Sequence, residues 1–383
     1  MSDRYDVIVA GVGGMGSAAA YHLARRGRSV LGLERFTIPN EMGSSHGASR
    51  IIRLAYFEHP SYVPLLRRSY GLWRELERGW GEQLLQMTGC LHLGAPGSTV
   101  FDGCLRSCDE HGLEHEVLDA AAVMRRFPAY RIPAAMMAVL DVAGGFLLPE
   151  KCIEAHAAGA RAAGADLRPG EALTHWEAIP GGVRVQTRQG SYEAARLVLT
   201  AGSWNGKLAA ALAPLLQPER QVLAWLAVAR SELFEQAAFP VFVMEAAEGM
   251  YYGFPLFDGG PPGLKLGRFH HRGEPADPDL LDRAGAGPAD EEVLRTFAAR
   301  YLPDGAGPAL AMKVCMFTNT PDEHFLIDLH PDLPQVVVGA GFSGHGFKLC
   351  SVVGEILADL AIDGGSRHDT ALFGVGRFIA GRP

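Results

Sequence analysis

The sequence has few features of a secreted or membrane-bound protein. No two cysteines stand in CxxC spacing, and the six that occur are scattered, which suits a reducing compartment better than a disulfide framework. No apolar run approaches the length of a membrane helix. The stretch "MSDRYDVIVAG" runs directly into an apolar strand, without the basic segment, apolar core and cleavage site of a signal peptide. These absences predict a cytoplasmic protein.

Positive charge is also scarce. The 35 lysine and arginine residues are outnumbered by 43 aspartate and glutamate residues, so the formal net charge is −8. This balance gives no electrostatic reason to approach nucleic acid or an anionic membrane. With 48% hydrophobic and 20% charged residues, the composition is that of an ordinary globular protein. We therefore expect small molecules as partners, and neither nucleic acid nor a membrane.

The sequence also supports neither a serine hydrolase nor a metal site. No GxSxG lies between a strand and a helix, which argues against a serine hydrolase. Cys104, Cys108, His111 and His115 recur at near-helical spacing, but Gly112 interrupts the helix that would hold them. An amphipathic face with chance thiols explains this pattern better than a metal site, so we predict no bound metal.

A glycine-rich motif near the N-terminus is the first positive signal. An apolar strand at 7–10 leads into Gly11, Gly13 and Gly16 in GxGxxG spacing, then a helix and a second strand that ends at Glu34. In this motif the first glycine permits a tight turn, the second lets the backbone approach a pyrophosphate, and the third lets the helix pack close to the strand. A carboxylate at the end of the second strand can accept hydrogen bonds from a ribose diol. The motif predicts a bound dinucleotide but does not distinguish NAD from FAD.

The rest of the chain predicts a discontinuous nucleotide domain with a second domain inserted. At 383 residues the chain exceeds what one hydrophobic core usually holds. A buried strand at 197–200 ends in Ala201 and Gly202, whose small size allows a cofactor to approach closely. Residues 216–314 instead contain short β-like runs broken by glycine and proline. We predict an α/β (α+β) fold with a Rossmann-like domain of residues 1–85, 145–215 and 315–383, and an inserted antiparallel-sheet substrate domain of residues 86–144 and 216–314.

Five motifs follow one another in an order that is specific to one family. They are the N-terminal fingerprint, "GSSHGASRIIRLAY", "YYGFP" followed by "LKLG", "KVCMFTNTPDEHFLID" and "GFSGHGFK", and they span nearly the whole chain. Together they resemble the flavin-dependent amine oxidases typified by monomeric sarcosine oxidase and N-methyltryptophan oxidase. The resemblance implies FAD as the cofactor and an FAD-binding role for the Rossmann-like domain.

The resemblance also implies how FAD is held. In the sarcosine oxidases the cysteine of the "KVCMF" motif carries the flavin as a thioether to its 8α-methyl carbon, which makes Cys315 the predicted site of covalent attachment. A thiolate is the nucleophile in such a linkage. The "GAGFSGHGFK" segment precedes the final helix, whose N-terminus would stabilise the anionic reduced flavin. Besides the residues of the glycine motif and the strand end, the predicted cofactor-binding residues are Arg35, Ser45, His46, Ser49, Leu173, Gly344 and Gly346.

The same resemblance implies the catalytic residues. Arg53 and Lys348 match the residues that hold the substrate carboxylate, as a planar pair of donors and a point charge. Lys265 matches the lysine that activates oxygen, because a fixed cation beside the reduced flavin favours formation of superoxide. Tyr252 matches a tyrosine of the substrate cavity. We add His345 of the "GHG" segment and Arg50, which together with His46 is expected near the flavin ring.

One position departs from the family pattern. Where sarcosine oxidase has a histidine that contacts the substrate, this chain has Phe269, followed by His270 and His271. The difference makes sarcosine itself less secure as the preferred substrate.

These observations predict a monomeric FAD-dependent oxidase of secondary amino acids, acting on an N-methyl amino acid such as sarcosine with O2 as acceptor. Its products would be hydrogen peroxide, an aldehyde and the demethylated amino acid. One alternative is an oxidase of a cyclic or bulkier secondary amine, resembling pipecolate or N-methyltryptophan. The others are an NAD-dependent dehydrogenase and a flavin-binding accessory protein without oxidase activity.

Overall fold

The computed structural model describes residues 3–378, and within them the chain forms eight α-helices and nineteen β-strands. The strands are β1 (Asp3–Ala10), β2 (Val30–Glu34), β3 (Arg50–Ile52), β4 (Leu85–Met87), β5 (Cys90–Gly94), β6 (His115–Asp119), β7 (Met137–Asp141), β8 (Gly145–Leu147), β9 (Asp166–Pro169), β10 (His175–Ile179), β11 (Gly182–Gln186), β12 (Ser191–Leu199), β13 (Gln217–Leu226), β14 (Val241–Ala246), β15 (Gly249–Phe254), β16 (Leu264–Arg268), β17 (Ala309–Asn319), β18 (Leu326–His330) and β19 (Leu333–Ala340). The helices are α1 (Gly14–Arg25), α2 (Tyr62–Trp80), α3 (Thr99–His111), α4 (Ala120–Arg126), α5 (Pro149–Ala162), α6 (Asn205–Leu208), α7 (Pro288–Tyr301) and α8 (Cys350–Asp363). Among the described helices, none has the length and apolarity needed to cross a bilayer.

The first sheet contains the N-terminal glycine motif. Its strands run in the order β10-β11-β12-β1-β2-β9, and β19 joins β12 while β18 joins β19. Strands β9, β2, β1, β12 and β19 are mutually parallel. In such sheets ligands bind beyond the carboxyl ends of the strands. Here those ends lie at Ala10, Glu34 and Leu199, next to the predicted cofactor residues.

Helices cover this sheet because their faces are rich in small and apolar residues. Helix α1 packs against α8 and α5. The approach of α1 to α8 is close, since a Cβ on Gly354 would lie 2.5 Å from the backbone of Ala18. Helix α2 begins at Tyr62 and extends to Trp80, where Gly81 ends it in the left-handed conformation.

The second sheet is built from strands of residues 90–141 and 217–319, which largely coincide with the residues predicted for the inserted domain. Its order is β17-β13-β16-β15-β14-β5-β7-β6, and neighbouring strands are antiparallel except for the parallel pair β14 and β5. That exception arises because β5 precedes β14 by a long stretch of chain and is not its hairpin partner. One face of the sheet packs on α7 and the other lies towards the first sheet's helices.

The predicted domain boundary at residue 315 cuts through β17. This strand pairs with β13 from Ala309 to Asn319, so Cys315 lies within the second sheet. The strand continues across the boundary because residues 309–317 are apolar except for Lys313 and contain no glycine or proline. A further small sheet, in the order β3-β8-β4, holds the start of the "RIIR" motif.

Candidate active site

A cavity of about 680 Å³ lies at the carboxyl ends of the parallel strands. Residues from the glycine motif, the end of β2, the 35–50 connection, the end of β12 and the segment before α8 all line it. The predicted cofactor or catalytic residues among them are Gly11, Gly13, Glu34, Arg35, Ser45, Arg50, Leu173, Ala201, Gly202, Gly344 and Gly346. Residues that are far apart along the chain thus meet in one cavity.

The glycine motif has the geometry of a phosphate-binding turn. A Cβ on Gly16 would lie 1.8 Å from the carbonyl oxygen of Gly11, and Gly11 itself has φ +88° and packs against the backbone of Ala201. Apart from Gly13 and its two neighbours in the chain, no described residue has an atom within 4 Å of the position that a Cβ on Gly13 would take. Two glycines are therefore needed for packing, while the third leaves open space in the cavity. This arrangement fits the pyrophosphate of a dinucleotide.

Glu34 is held at the end of β2 by backbone groups. The N–H of Val12 donates to Oε2 at 2.8 Å and the N–H of Phe36 donates to Oε1 at 3.0 Å. Burial raises the pKa of Glu34, although these backbone hydrogen bonds oppose the shift. The carboxylate retains free lone pairs on the cavity side, where a ribose hydroxyl can donate.

Sequence reasoning missed several residues that complete this cavity. Trp204 and Phe36 line it with ring centroids 5.7 Å apart. Asp279 accepts hydrogen bonds from Trp204 Nε1 at 2.8 Å, Lys207 Nζ at 2.7 Å and Arg35 Nη1 at 2.6 Å. Trp204 could have been found because it follows a predicted strand end. Asp279 gave no signal, since it comes from the distant segment before α7.

Cys315 contacts the 44–50 segment, and His46 lies within it. Cys315 is 3% exposed, and its Sγ lies 3.7 Å from the carbonyl oxygen of Ser44, a residue of the cavity wall. His46 is buried, and neither ring nitrogen is hydrogen-bonded to another residue within the described part of the chain. Burial, together with the charge of Arg50 and other cations, lowers the pKa of His46 to about 3. The imidazole is therefore neutral, with a donor and an acceptor left for a ligand.

Lys265 is anchored to the same connection. Its Nζ donates to the carbonyl oxygens of Gly47 and Ser49, both at 2.7 Å, and to Ser49 Oγ at 2.9 Å. The ammonium also lies 4.3 Å from the ring centroid of Phe254. Burial and the nearby Arg50 lower the pKa of Lys265 well below its usual range, while three acceptors match the three N–H groups of an ammonium. The geometry fixes this amine beside the cavity, and its three acceptors favour the ammonium form over the neutral amine.

Arg53 is buried between two aromatic rings. Its guanidinium lies 4.2 Å from the ring centroid of Tyr56 and 4.3 Å from that of Phe57. Nη2 donates to both carboxylate oxygens of Glu58, and Nη1 donates to the carbonyl of Ala55 at 2.9 Å. Burial opposes both charges, but the mutual attraction prevails, raising the pKa of Arg53 and lowering that of Glu58. The sequence did not predict this counterion.

Lys348 lies close to this pair. Its Nζ donates to the carbonyl of His345 at 2.7 Å and lies 5.2 Å from the ring centroid of Tyr56. Its own carbonyl accepts from Ser69 Oγ and Trp73 Nε1 of α2, which fixes the backbone. Burial, with the charge of Arg53, lowers the pKa of Lys348 to about 7. The ammonium is therefore readily stabilised by an added anion.

His345 connects the "GHG" segment to Tyr56. Its Nε2 donates to the carbonyl of Glu323 at 3.0 Å, which leaves Nδ1 to accept from Tyr56 Oη at 2.6 Å. Burial lowers the pKa of His345 to about 4, so the ring is neutral. The histidine positions Tyr56 rather than offering a free base.

Tyr252 and two phenylalanines form an aromatic wall. The ring centroid of Phe269 lies 5.5 Å from that of Tyr252 and 5.7 Å from that of Phe317. Gly344 packs against Phe317, since a Cβ there would lie 2.4 Å from the ring. The position that departs from the family pattern thus contributes an apolar surface.

The fold and this cavity define the class of protein. The model of the family described as "FAD dependent oxidoreductase" matches residues 6–360, and the chain belongs to that family. Its relatives within this family include proteins named as a sarcosine oxidase and an N-methyl-L-tryptophan oxidase. The chain is 43% identical to monomeric sarcosine oxidase from Streptomyces avermitilis over 385 residues, which cover 99% of each protein. It is 34% identical to N-methyl-L-tryptophan oxidase from Yersinia pestis over 381 residues, covering 98% of this chain and 99% of the relative.

A solved structure is similar over the whole fold. The open form of NikD, described as an unusual amino acid oxidase essential for nikkomycin biosynthesis, has a TM-score of 0.83 at 27% identity and covers 97% of this chain and 98% of its own. The predicted family, fold class, FAD cofactor and flavin-dependent amine-oxidase class are confirmed. An NAD-dependent dehydrogenase is not supported, because the matching family is FAD dependent.

Proposed function

We propose that this protein oxidises N-methyl amino acids, of which sarcosine is the simplest, with FAD as cofactor and O2 as acceptor. The observation that carries the proposal is the pair of buried cations, Arg53 and Lys348, which both lie against the ring of Tyr56. The sarcosine oxidase and N-methyltryptophan oxidase relatives support the same substrate class. A cyclic amine such as pipecolate is less favoured, because these relatives are named for sarcosine and N-methyl-L-tryptophan.

The cation pair supplies recognition of the substrate carboxylate. Arg53 offers a planar set of donors, although Glu58 occupies part of it. The pKa of Lys348 is lowered to about 7, so its neutral form is more populated than that of an ordinary lysine. A carboxylate beside it would favour its charged form. With the carboxylate bound, two cations face two anions, so the buried site is electrically balanced.

The aromatic wall orients the other end of the substrate. Tyr252, Phe269 and Phe317 present an apolar surface that excludes water from an N-methyl group. Exclusion of water also protects the imine product until it leaves the site, after which hydrolysis releases the aldehyde. Phe269 offers no hydrogen bond, so binding in this part of the site depends on shape.

The redox chemistry depends on the cofactor that the cavity fits. Bound FAD supplies the two-electron acceptor for oxidation of the C–N bond and passes the electrons on to O2. The ammonium group of Lys265 is held beside the cavity by Gly47 and Ser49. There it stabilises the negative charge that develops on oxygen. Overall, the N-methyl amino acid, O2 and water become the amino acid, formaldehyde and hydrogen peroxide.

We further propose that FAD is joined covalently to Cys315, that the enzyme is a monomer, and that it works in the cytoplasm. The proximity of Cys315 to Ser44 in the cavity wall supports attachment. The name of the Streptomyces avermitilis relative supports the monomer. We also retain the two-domain division, with the substrate domain extended to the end of β17 at Asn319.

The test is a screen of the purified, FAD-loaded protein. Sarcosine, N-methylalanine, N-methyltryptophan, pipecolate and glycine are supplied separately, and flavin bleaching without oxygen and peroxide formation with oxygen are recorded. We expect bleaching and peroxide with at least one N-methyl amino acid and neither with glycine. Turnover of pipecolate alone would move the function to cyclic amines. Bleaching without peroxide in air would exclude O2 as the acceptor.

A further inference from the structure

A buried histidine outside the predicted site has no hydrogen-bonding partner among the residues that the structure describes. His92 lies in the middle of β5, is 0% exposed, and neither ring nitrogen is bonded to another described residue. A buried polar group without a partner is costly, so it is uncommon in a native core. The residue therefore calls for a physical account.

The strand register shows which way His92 faces. Leu91 and Leu93 on either side belong to the core beneath α7, so His92 points to the opposite face of the sheet. Across the strands, His92 is opposite Val139 on β7 and Val243 on β14. The next residue in this row is Tyr252, opposite Val243 on β15. One small valine thus separates His92 from the aromatic wall of the site.

Two charges of the site act on this histidine. Burial, followed by the charges of Arg53 and Lys348, lowers the pKa of His92 well below its usual range. Cys90 lies two residues earlier on the same face. Burial raises the pKa of its thiol, while the charges of Arg53 and Lys348 oppose this shift. His92 is therefore a neutral imidazole. The N–H groups of Leu54 and Ala55, next to Arg53, donate to Asp141, which lies opposite Cys90 on β5, so Arg53 lies near the strand that carries His92.

We propose that His92 determines specificity by hydrogen bonding to a neutral polar group on the substrate's α-carbon side chain. The inference rests on the proposed function. Because Arg53 and Lys348 already balance Glu58 and the substrate carboxylate, an additional charged group is disfavoured. A neutral imidazole offers one donor and one acceptor, which suit a hydroxyl or a carboxamide. The group must lie near the carboxylate, which assigns it to the α-carbon and not to the N-methyl end.

The first test compares kcat/KM for N-methylserine and N-methylalanine, which differ by one hydroxyl. The wild-type enzyme should favour N-methylserine by about tenfold, the effect of one well-formed hydrogen bond. His92→Leu should reduce this ratio to near one, and His92→Gln, which retains a donor and an acceptor, should restore part of it. As a matched control, His156→Leu removes another buried neutral histidine, on α5, and should leave the ratio unchanged.

A binding measurement separates failure of this inference from failure of the proposed function. Propanoate and 3-hydroxypropanoate are the same two substrates without the amine, and their Kd values are read from the visible spectrum of bound flavin. A preference for 3-hydroxypropanoate that His92→Leu abolishes supports the inference even if no amine is oxidised. Equal ratios in wild type and His92→Leu, or no preference in wild type, would overturn it. A uniform loss of activity in His92→Leu with the preference kept would also overturn it, because the role would then be structural.

Discussion

Arg53 Nη2 donates to both carboxylate oxygens of Glu58, at 2.6 and 2.7 Å, in a site where the arginine is only 2% exposed. The guanidinium proposed to bind the substrate therefore already has an anionic partner. A substrate carboxylate must share the guanidinium with Glu58 or displace it. The pair consequently affects both the stability of the protein and the affinity of the site for anions.

Replacement of Glu58 by glutamine keeps the shape of the side chain but removes its charge. We expect Glu58→Gln to bind propanoate more tightly, because Arg53 loses a competing anion. We also expect the free energy of unfolding to fall by about 3–5 kcal/mol, because a buried cation loses its partner. A spectral titration at pH 6 and thermal unfolding measure the two effects.

The matched control is Glu116→Gln. Glu116 pairs with Arg126 at 2.7 Å, but both side chains are nearly half exposed, so loss of this pair should change stability by less than about 1 kcal/mol. Weaker propanoate binding by Glu58→Gln than by the wild type would contradict the competition model and mean that Glu58 mainly orients Arg53.

The Arg53–Glu58 pair also illustrates what the sequence does not reveal. The resemblance identified Arg53, but the five-residue spacing to Glu58 matches neither a helical nor a strand period, so the pairing depends on the loop conformation. The glycine motif was predictable because its function depends on local backbone geometry. The location of His92 was not, since it depends on β5 lying beside β14, a strand about 150 residues away along the chain.

The pKa of Lys348 predicts a pH-dependent affinity for carboxylates. Burial and Arg53 lower this pKa to about 7, so the lysine is cationic below pH 7 and increasingly neutral above it. Propanoate remains ionised throughout, and its affinity should fall between pH 7 and 9, by up to about tenfold per unit. Spectral titrations at several pH values measure this slope. Lys348→Met should bind weakly with a flat profile, whereas the exposed Lys151→Met should retain the wild-type profile.

The same shift affects folding stability. The unfolded chain holds the Lys348 proton more tightly than the folded protein does, so this residue's contribution to stability increases from pH 7 towards pH 10. Lys348→Met should remove that increment. An identical pH dependence of unfolding in both proteins would show that the pKa of Lys348 is not lowered.

Lys265 provides a separate test of the oxygen reaction. Lys265→Met should slow reoxidation of the reduced flavin by about 10²–10³-fold, because a positioned cation no longer stabilises the developing charge. Flavin reduction by the amine should change much less. Stopped-flow measurements of the two half-reactions distinguish these effects, and Lys313→Met on β17 is the control for a nearby lysine. Equal slowing of both half-reactions would refute a specific role with oxygen.

The glycine motif predicts that two similar substitutions have different effects. Gly16→Ala would bring a Cβ to within 1.8 Å of the Gly11 carbonyl, so the apoprotein itself should be less stable. Gly13→Ala enters open space, so the fold should persist while affinity for FAD falls. Thermal unfolding of apoprotein and fluorescence titration with FAD separate the two outcomes. If Gly13→Ala bound FAD as tightly as the wild type, the cofactor would not approach this turn.

Covalent attachment of FAD through Cys315 is open to a direct chemical test. Cys315 is buried on β17 with its thiol towards Ser44 of the cavity wall, and attachment requires the thiol as nucleophile. Acid precipitation of the wild-type protein should leave the yellow colour in the pellet, whereas Cys315→Ser should release it into the supernatant. Cys152→Ala, which removes another buried thiol, should behave like the wild type. Colour in the wild-type supernatant would mean that FAD is bound without a covalent bond and that Cys315 only packs against the connection, in which case Cys315→Ser should leave the yield of bound FAD unchanged.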